Sequence, residues 1–429
     1  MRPRIAVIGS GIAGLSAAWL LRAHADVTLF EQAPRAGGHA DTQTVSFGGR
    51  IIHVDTGFIV YNAENYPNLT ALFDHLGIAT KPSEMSFGVS IGGGALEYGG
   101  GDLLQLFGQR RNALRPRFWG MVQDILRFYR EAPALLEGGA TGGETLGEWL
   151  DRNRYGEAFV NDHILPMGAA IWSASVSDMR AFPARHFFRF FQNHGLLRLR
   201  NRPQWRTVEG GSRRYVARML ADLPSPRLGC GVRAVRRDIH GVTLRLEDDT
   251  DMHFDQAVLA CHADQALALL AQPSAAERDI LGAIKCRDNR AVLHTDTRLM
   301  PRRRRVWSAW NYLAEGPSDH DAGVSVTYWM NRLQGLHSNV PILVSLNPLI
   351  EPRAETVLLE REYRHPQFDA AALHAQTRLG EIQGSGKLWF AGAWTGWGFH
   401  EDGIASAVRV VRGMGLSAPW VTMPDRIAA

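Results

Sequence analysis

Apolar residues along this chain fall into two patterns. Short continuous runs at Ile5-Ala-Val-Ile8, Val27-Thr-Leu-Phe30 and Lys387-Leu-Trp-Phe-Ala391 read as strands, and Gln256-Ala-Val-Leu-Ala260 reads as a strand buried in a parallel sheet. Leu228–Val235 and a hairpin at 240–254 are expected before the last of these. By contrast, Phe118, Met121, Val122, Ile125, Leu126 and Tyr129 recur at helical spacing, and residues 100–200 are expected to be largely helical. Five phenylalanines (182, 187, 188, 190 and 191) crowd a second segment there. Alternating stretches at 291–294, 306–310, 324–329 and 342–346 predict strands, and 403–414 predicts a closing helix.

Nucleotide-domain character thus appears three times. The expected organisation is an α/β fold with a Rossmann-type dinucleotide domain built from 1–99, 207–285 and 381–429. A mixed α+β substrate domain, helical over 100–206 and strand-rich over 286–380, interrupts it twice. The first repeat of that character is the most specific. Gly9-Ser10-Gly11-Ile12-Ala13-Gly14 lies between a strand and a helix of small apolar residues, and Glu31 ends the next strand. Gly9 allows the tight turn, Gly11 lets a pyrophosphate reach the backbone, and Gly14 lets the helix pack on the sheet. The helix N-terminus offers free N–H groups to phosphates, and Glu31, about 20 residues on, can accept from ribose hydroxyls. Met1-Arg-Pro-Arg with Ala23-His-Ala25 imitates a secretory signal, but cleavage there would remove the glycine turn, so that reading is set aside.

Composition narrows the class. The 429 residues, 45% of them hydrophobic, suffice for two domains with a large core. No apolar stretch approaches the roughly 18 residues of a spanning helix. Cys230, Cys261 and Cys286 lie far apart, which fits a reduced, cytoplasmic enzyme without a disulfide frame. The histidines lack metal-ligand spacing, so no metal is expected. Net charge is a mild +4, and no nucleic-acid partner is expected. Arginines nevertheless crowd into 110–130, 180–214 and 298–305. Arg302, Arg303, Arg304 and Arg305 are candidates for holding a phosphate headgroup, or else form a solvated turn. Arg110 to Trp119 begins an amphipathic helix that packs on its own domain or lies at an interface.

Four further segments carry a family resemblance. They are Glu31-Gln32-Ala-Pro-Arg35-Ala-Gly37-Gly38-His39, Val54-Asp-Thr56-Gly57-Phe58, Thr207-Val-Glu-Gly-Gly-Ser212 with Val232 beyond it, and Phe390-Ala-Gly392-Ala393-Trp394-Thr395 followed by Glu401-Asp-Gly403-Ile404-Ala405. Together they resemble the FAD-dependent amine oxidase and phytoene desaturase superfamily across essentially the whole chain. The resemblance implies FAD as cofactor, held by the residues just numbered, with Val232 at the adenine end. It also implies that the last segment turns a helix N-terminus toward the flavin pyrimidine. His39 stands where that family carries arginine. Arg-Ala-Gly-Gly-His also imitates a histidyl-flavin attachment sequence of an unrelated fold, but this motif lies nearer the ribityl chain, so non-covalent flavin is expected.

More narrowly, Arg35–Asp41, Val54–Asn62, Phe191–Gly195 and Trp307-Ser-Ala-Trp-Asn-Tyr312 resemble bacterial flavoproteins encoded beside cyclopropane-fatty-acid-synthase-like methyltransferases. That resemblance implies desaturation of methylated acyl chains of membrane phospholipids on the way to furan fatty acids, with hydride passing to flavin N5. It also implies a lipid acyl substrate, an anionic membrane surface at the inner face as a peripheral partner, and a methyltransferase as functional partner. A homo-oligomer is compatible with the sequence. A flavin-dependent double-bond isomerase and a soluble amine oxidase remain alternatives. Phe187 and Phe191 are candidates for lining an acyl tunnel, and His194, Trp394 and Trp397 for catalysis. The base stays unassigned.

Overall fold

The computed structural model describes residues 1–47, 49–137, 143–198, 201–224, 226–316 and 325–420. Five strands form one parallel sheet in the order Arg227–Leu228, Asp26–Glu31, Arg4–Ile8, Gln256–Leu259 and Leu388–Phe390. These strands come from three stretches of sequence, those expected to carry nucleotide-domain character. The helix Ile12–Leu21 is apolar on every side, and all ten of its residues are buried. A helix of that kind must be covered on both flanks. The sheet covers one flank, and the closing helix His400–Gly413 covers the other, where a Cβ on Gly403 would come within 2.7 Å of the Ile12 side chain. An antiparallel meander, Val232–Arg237, Val242–Leu246 and Asp251–Phe254, packs with two helices on the opposite face of the sheet.

The second sheet has seven strands, in the order Val357–Pro366, Cys286–His294, Leu343–Leu346, Ser325–Trp329, Trp310–Ala314, Phe87–Ile91 and Leu96–Gly99. Its last two members correct the expected boundary at 99. Phe87–Ile91 runs parallel to Trp310–Ala314, so residues 87–99 complete the second sheet rather than the first. The boundary at 206 also cuts a strand, because Trp205–Val208 pairs with both Tyr61–Asn62 and Thr80–Pro82. The strand expected over 306–310 starts only at Trp310, after a turn that ends at Val306. Val324, placed at the start of a strand, lies outside the described residues. The stretch expected as one strand over 228–235 is two, one in each of two sheets.

Helices Pro116–Glu137, Leu146–Arg152, Leu165–Trp172 and Ala184–Asn193 form a layer beside the second sheet. The phenylalanine cluster is the core of this layer. Phe187 and Phe191 stack at 4.2 Å, fully buried, among Phe128, Phe188 and Trp172.

A single buried carboxylate joins the pieces. Asp55 ends the strand Arg50–Asp55 and accepts hydrogen bonds from Thr42 Oγ1 (2.5 Å), Ser212 N (3.0 Å), Ser212 Oγ (2.7 Å) and Gln334 Nε2 (2.7 Å). Its own N–H donates to Gln334 Oε1 at 2.8 Å. Gly211 must be glycine here, because its φ is +88° and a Cβ would overlap Thr42. Burial pushes the Asp55 carboxyl from 3.8 up to about 6, against the pull of these donors. The fold therefore favours its protonated form between those values. The stability this contributes is full below pH about 4 and is lost as pH rises through about 6.

Two outcomes follow at this site. Asp55→Ala leaves four donors without an acceptor and should lower unfolding free energy by about 3 kcal/mol in urea titration. Asp55→Asn cannot titrate, so its stability deficit relative to wild type should shrink by about 2 kcal/mol between pH about 4 and about 7. A deficit that grows over that interval contradicts the assignment.

Candidate active site

The glycine turn separates two kinds of glycine. A Cβ on Gly9, whose φ is +101°, would stand 2.7 Å from the Ala260 carbonyl, and one on Gly14 would overlap the Gly9 carbonyl. The protein's own packing demands both. A Cβ on Gly11 meets no protein atom within 4 Å. Its empty side opens into a cavity of about 570 Å³ that runs between the two sheets. That space is what a pyrophosphate against the backbone requires.

At one end of the cavity lie Glu31, Gln32, Cys230 and Val232. Glu31 accepts from Ser10 N (2.9 Å) and Ser10 Oγ (2.6 Å) through one oxygen and from Ala33 N (2.9 Å) through the other. These bonds aim its carboxylate at the glycine turn, where an adenosine ribose would meet it. Ser10, Ile12, Ala13, Gly38, Thr56, Gly57, Phe58, Gly392, Ala393 and Trp394 continue the lining toward the second sheet. The Phe58 N–H donates to the His39 carbonyl at 2.7 Å, and a Cβ on Gly57 would overlap that same carbonyl, so these two segments run in contact. The Trp394 indole donates to the Cys261 carbonyl at 3.0 Å and ties the C-terminal loop to the sheet.

Gly14, Gly37, Gly403, Ile404 and Ala405 do not line the cavity. They act through packing. Gly37 bonds its N–H to the Ser10 carbonyl, Gly403 receives Ile12, and Ile404 is fully buried. The closing helix instead presents His400, whose ring stacks on Phe58 at 3.7 Å and meets Tyr215 Oη at 3.0 Å. Burial pushes His400 down to about 3, so it is neutral. The two acids that follow turn away. Glu401 accepts from Asn68 and Leu69, and Asp402 accepts from the Phe399 N–H at 2.9 Å.

His39 lines the cavity with Nε2 buried and without a protein partner. Its ring lies 5.1 Å from Tyr363, 5.4 Å from His365 and 6.2 Å from His262. Burial, then the neighbouring His365 and His262, hold it well below the usual histidine range. A neutral donor or acceptor thus replaces the positive charge that arginine would bring. Arg35 spends its own charge on Asp41 at 3.0 Å.

Beyond the nucleotide cradle the wall is aromatic and aliphatic, formed by Trp172, Trp310, Tyr328, Leu346, Trp397 and Phe399. Among the described residues, the charged side chains on the whole lining are Glu31 and Arg364, and Arg364 is paired with Asp264 (2.7 Å) and Asp288 (2.9 Å). The indole nitrogens of Trp172 and Trp310 are buried without partners.

Several expected residues lie elsewhere. Phe187 and Phe191 fill the helical core, stacked on each other and buried among further aromatics, and they do not line this cavity. His194 caps the Ala184–Asn193 helix, donates Nδ1–H to the Phe190 carbonyl at 3.0 Å and sits behind Phe399. Arg302 to Arg305 lie off the cavity, and Arg303 pairs with the fully buried Glu97 at 2.7 Å. Trp397 does line the cavity, as Trp394 does. Missed beforehand were Trp172, Trp310, Tyr328, His365 and His400. Trp310 and Tyr328 are directly paired across two antiparallel strands, so they share one face, a placement visible only once the register is known.

Residues 12–303 match the family described as flavin containing amine oxidoreductase, and the chain belongs to that family. FAD is the family's usual cofactor, and the cradle over Gly11 and the placement of Glu31 fit it. The chain is a flavin-dependent oxidoreductase. Among solved structures it is similar to a CLA-producing fatty acid isomerase from P. acnes, at 14% identity and TM-score 0.69, covering 96% of this chain and 98% of that one. It is similar also to cyclohexylamine oxidase from Brevibacterium oxydans, at 15% identity and TM-score 0.69, covering 97% and 100%. Putrescine oxidase bound to putrescine is a third, at 16% identity and TM-score 0.68, covering 96% and 99%. No curated protein matches the sequence.

The two kinds of glycine give a sharp prediction. Gly11→Val should purify folded, with the unfolding temperature of flavin-stripped wild type, yet lack the yellow absorbance. Gly14→Val should fail to fold. Gly11→Val protein that keeps stoichiometric flavin contradicts the cradle.

Proposed function

We propose that this flavoenzyme oxidises a fatty acyl chain, removing two hydrogens from adjacent carbons of a lipid. The observation that carries this reading is the uncharged substrate side of the cavity. Among the described residues no carboxylate stands there to hold a protonated amine, and Trp172, Trp310, Tyr328, Leu346 and Trp397 offer apolar surface. Bound FAD supplies the two-electron acceptor for such a C–H oxidation. The chain's own residues exclude water and position the acyl carbons, and positioning of that kind can supply several kcal/mol of a barrier. Among the described residues of the lining, His39 Nε2 and the Trp172 and Trp310 indole N–H groups are buried side-chain polar atoms without a protein partner, free to meet a bound molecule. A methyl-branched chain of a phospholipid is the substrate class favoured by the sequence resemblance.

Anaerobic protein mixed with phospholipid carrying methyl-branched or unsaturated chains should lose its oxidised-flavin absorbance and give a product lighter by two hydrogens. Trp172→Ala and Trp397→Ala should keep their flavin but lose roughly tenfold or more in the bleaching rate, about 1.4 kcal/mol or more of positioning. Phe187→Ala should instead cost about 3–5 kcal/mol of stability, as a core deletion does. A double-bond shift without mass change identifies an isomerase. Bleaching by simple amines and by no lipid overturns the acyl reading, with the aromatic wall acting as a cation cage.

A further inference from the structure

The segment between the last strand of the second sheet and the long helix carries an unusual surface. Leu103, Leu104 and Leu114 are 73%, 83% and 86% exposed, and Trp119 and Leu126 are exposed two turns apart on the helix Pro116–Glu137. Large apolar side chains gathered on one part of a surface mark an interaction site.

The basic cluster lies against the same segment. Arg111 donates to the Ala95 carbonyl at 2.6 Å and Arg303 to the Gly94 carbonyl at 3.1 Å, so both grip one turn. A Cβ on Gly108 would stand 2.8 Å from Val306 and 3.5 Å from the Arg305 backbone. Phe107 packs on the Trp119 ring at 5.4 Å. Arg110, Arg302, Arg304 and Arg305 are exposed and have no ion-pair partner among the described residues. Two exposed acids stand nearby among the described residues: Asp102, whose carboxylate caps the short helix through Gln105 N at 2.7 Å, and Glu315, whose backbone lies beside Gly92.

We propose that this face, with Leu103, Leu104, Leu114 and Trp119 at its tips and Arg110, Arg302, Arg304 and Arg305 beside them, docks on an anionic phospholipid bilayer. Charge complementarity names the occupant, since guanidinium groups without carboxylate partners match a layer of phosphates, although Arg304 also lies over the Trp307 ring at 5.3 Å. The leucines protrude instead of lining a groove, which suits insertion among acyl chains, and tryptophan belongs at the water–lipid boundary. No helix of the described residues is long and apolar enough to cross a membrane, so this contact would be peripheral. Docking goes beyond the acyl reading and stands apart from it, because binding is read without turnover.

The test is sedimentation of the full flavin-loaded chain with vesicles of phosphatidylcholine, with and without phosphatidylglycerol. Wild type should bind the anionic vesicles, and at least about tenfold more weakly when salt rises from about 0.1 M to about 1 M and the Debye length falls from about 10 Å to about 3 Å. The triple variant Arg110→Ser, Arg304→Ser, Arg305→Ser spares the Arg303–Glu97 pair and should lose binding to anionic vesicles about tenfold at low salt. Leu103→Ser, Leu104→Ser, Leu114→Ser should lose binding at both salt levels. In unaltered protein, brominated lipid should quench tryptophan fluorescence, and Trp119→Phe should remove that part of the quenching. Wild type that ignores anionic vesicles, or variants that bind as wild type does, overturn the proposal. So does a leucine variant that only converts a dimer to a monomer, which would make a second copy the occupant.

Discussion

The Asp55 carboxylate is the interaction on which the rest of the architecture depends. It lies directly before Thr56-Gly57-Phe58, three residues of the cavity wall. It is bonded to the turn at Gly211-Ser212, which opens the next nucleotide-domain segment, and to Gln334 from beside the second sheet. Two motifs that stand more than 150 positions apart are therefore one contact. A buried charge of this kind is costly unless every lone pair is used, and here the donors come from three separate parts of the chain. Removing any of them leaves the carboxylate short of a partner, so the knot enforces the relative placement of the segments it joins.

That placement gives a cavity with a division of labour. The nucleotide end is built from backbone and one acid, because phosphate and ribose are recognised by N–H groups and hydroxyl acceptors. The far end is built from rings. Its histidines His39 and His365 are kept neutral chiefly by burial, with His365 adding to the effect on His39 and His262 to that on His365, and Arg364 is neutralised by Asp264 and Asp288. An interior without net charge suits an apolar guest and penalises an ionic one.

The nucleotide half was legible because its signal is local. The turn from Gly9 to Gly14, the acid at Glu31 and the run Gln256–Ala260 each announce their geometry within a few residues. Several strands of the second sheet, at 286–294, 325–329 and 343–346, were legible from their alternation, but its edge was not, since nothing local tells Phe87–Ile91 that its partner is Trp310–Ala314. Phe187 and Phe191 misled for the same reason, because an aromatic cluster reads alike whether it faces a cavity or another helix. The substrate wall draws Trp172, Trp310, Tyr328, Leu346 and Trp397 from separate elements, and only tertiary register brings them together. His39 was visible as a departure from arginine, but its unpartnered nitrogen was not.

Three separated segments build the site for FAD, and the flavin is expected to rest beside His39 without a covalent link. Acid precipitation of the purified protein, followed by mass spectrometry of the supernatant, tests it most directly. FAD should appear in the supernatant, stoichiometric with the chain. Bound NAD without flavin, or flavin that stays with the precipitated protein on a peptide containing His39, would contradict it.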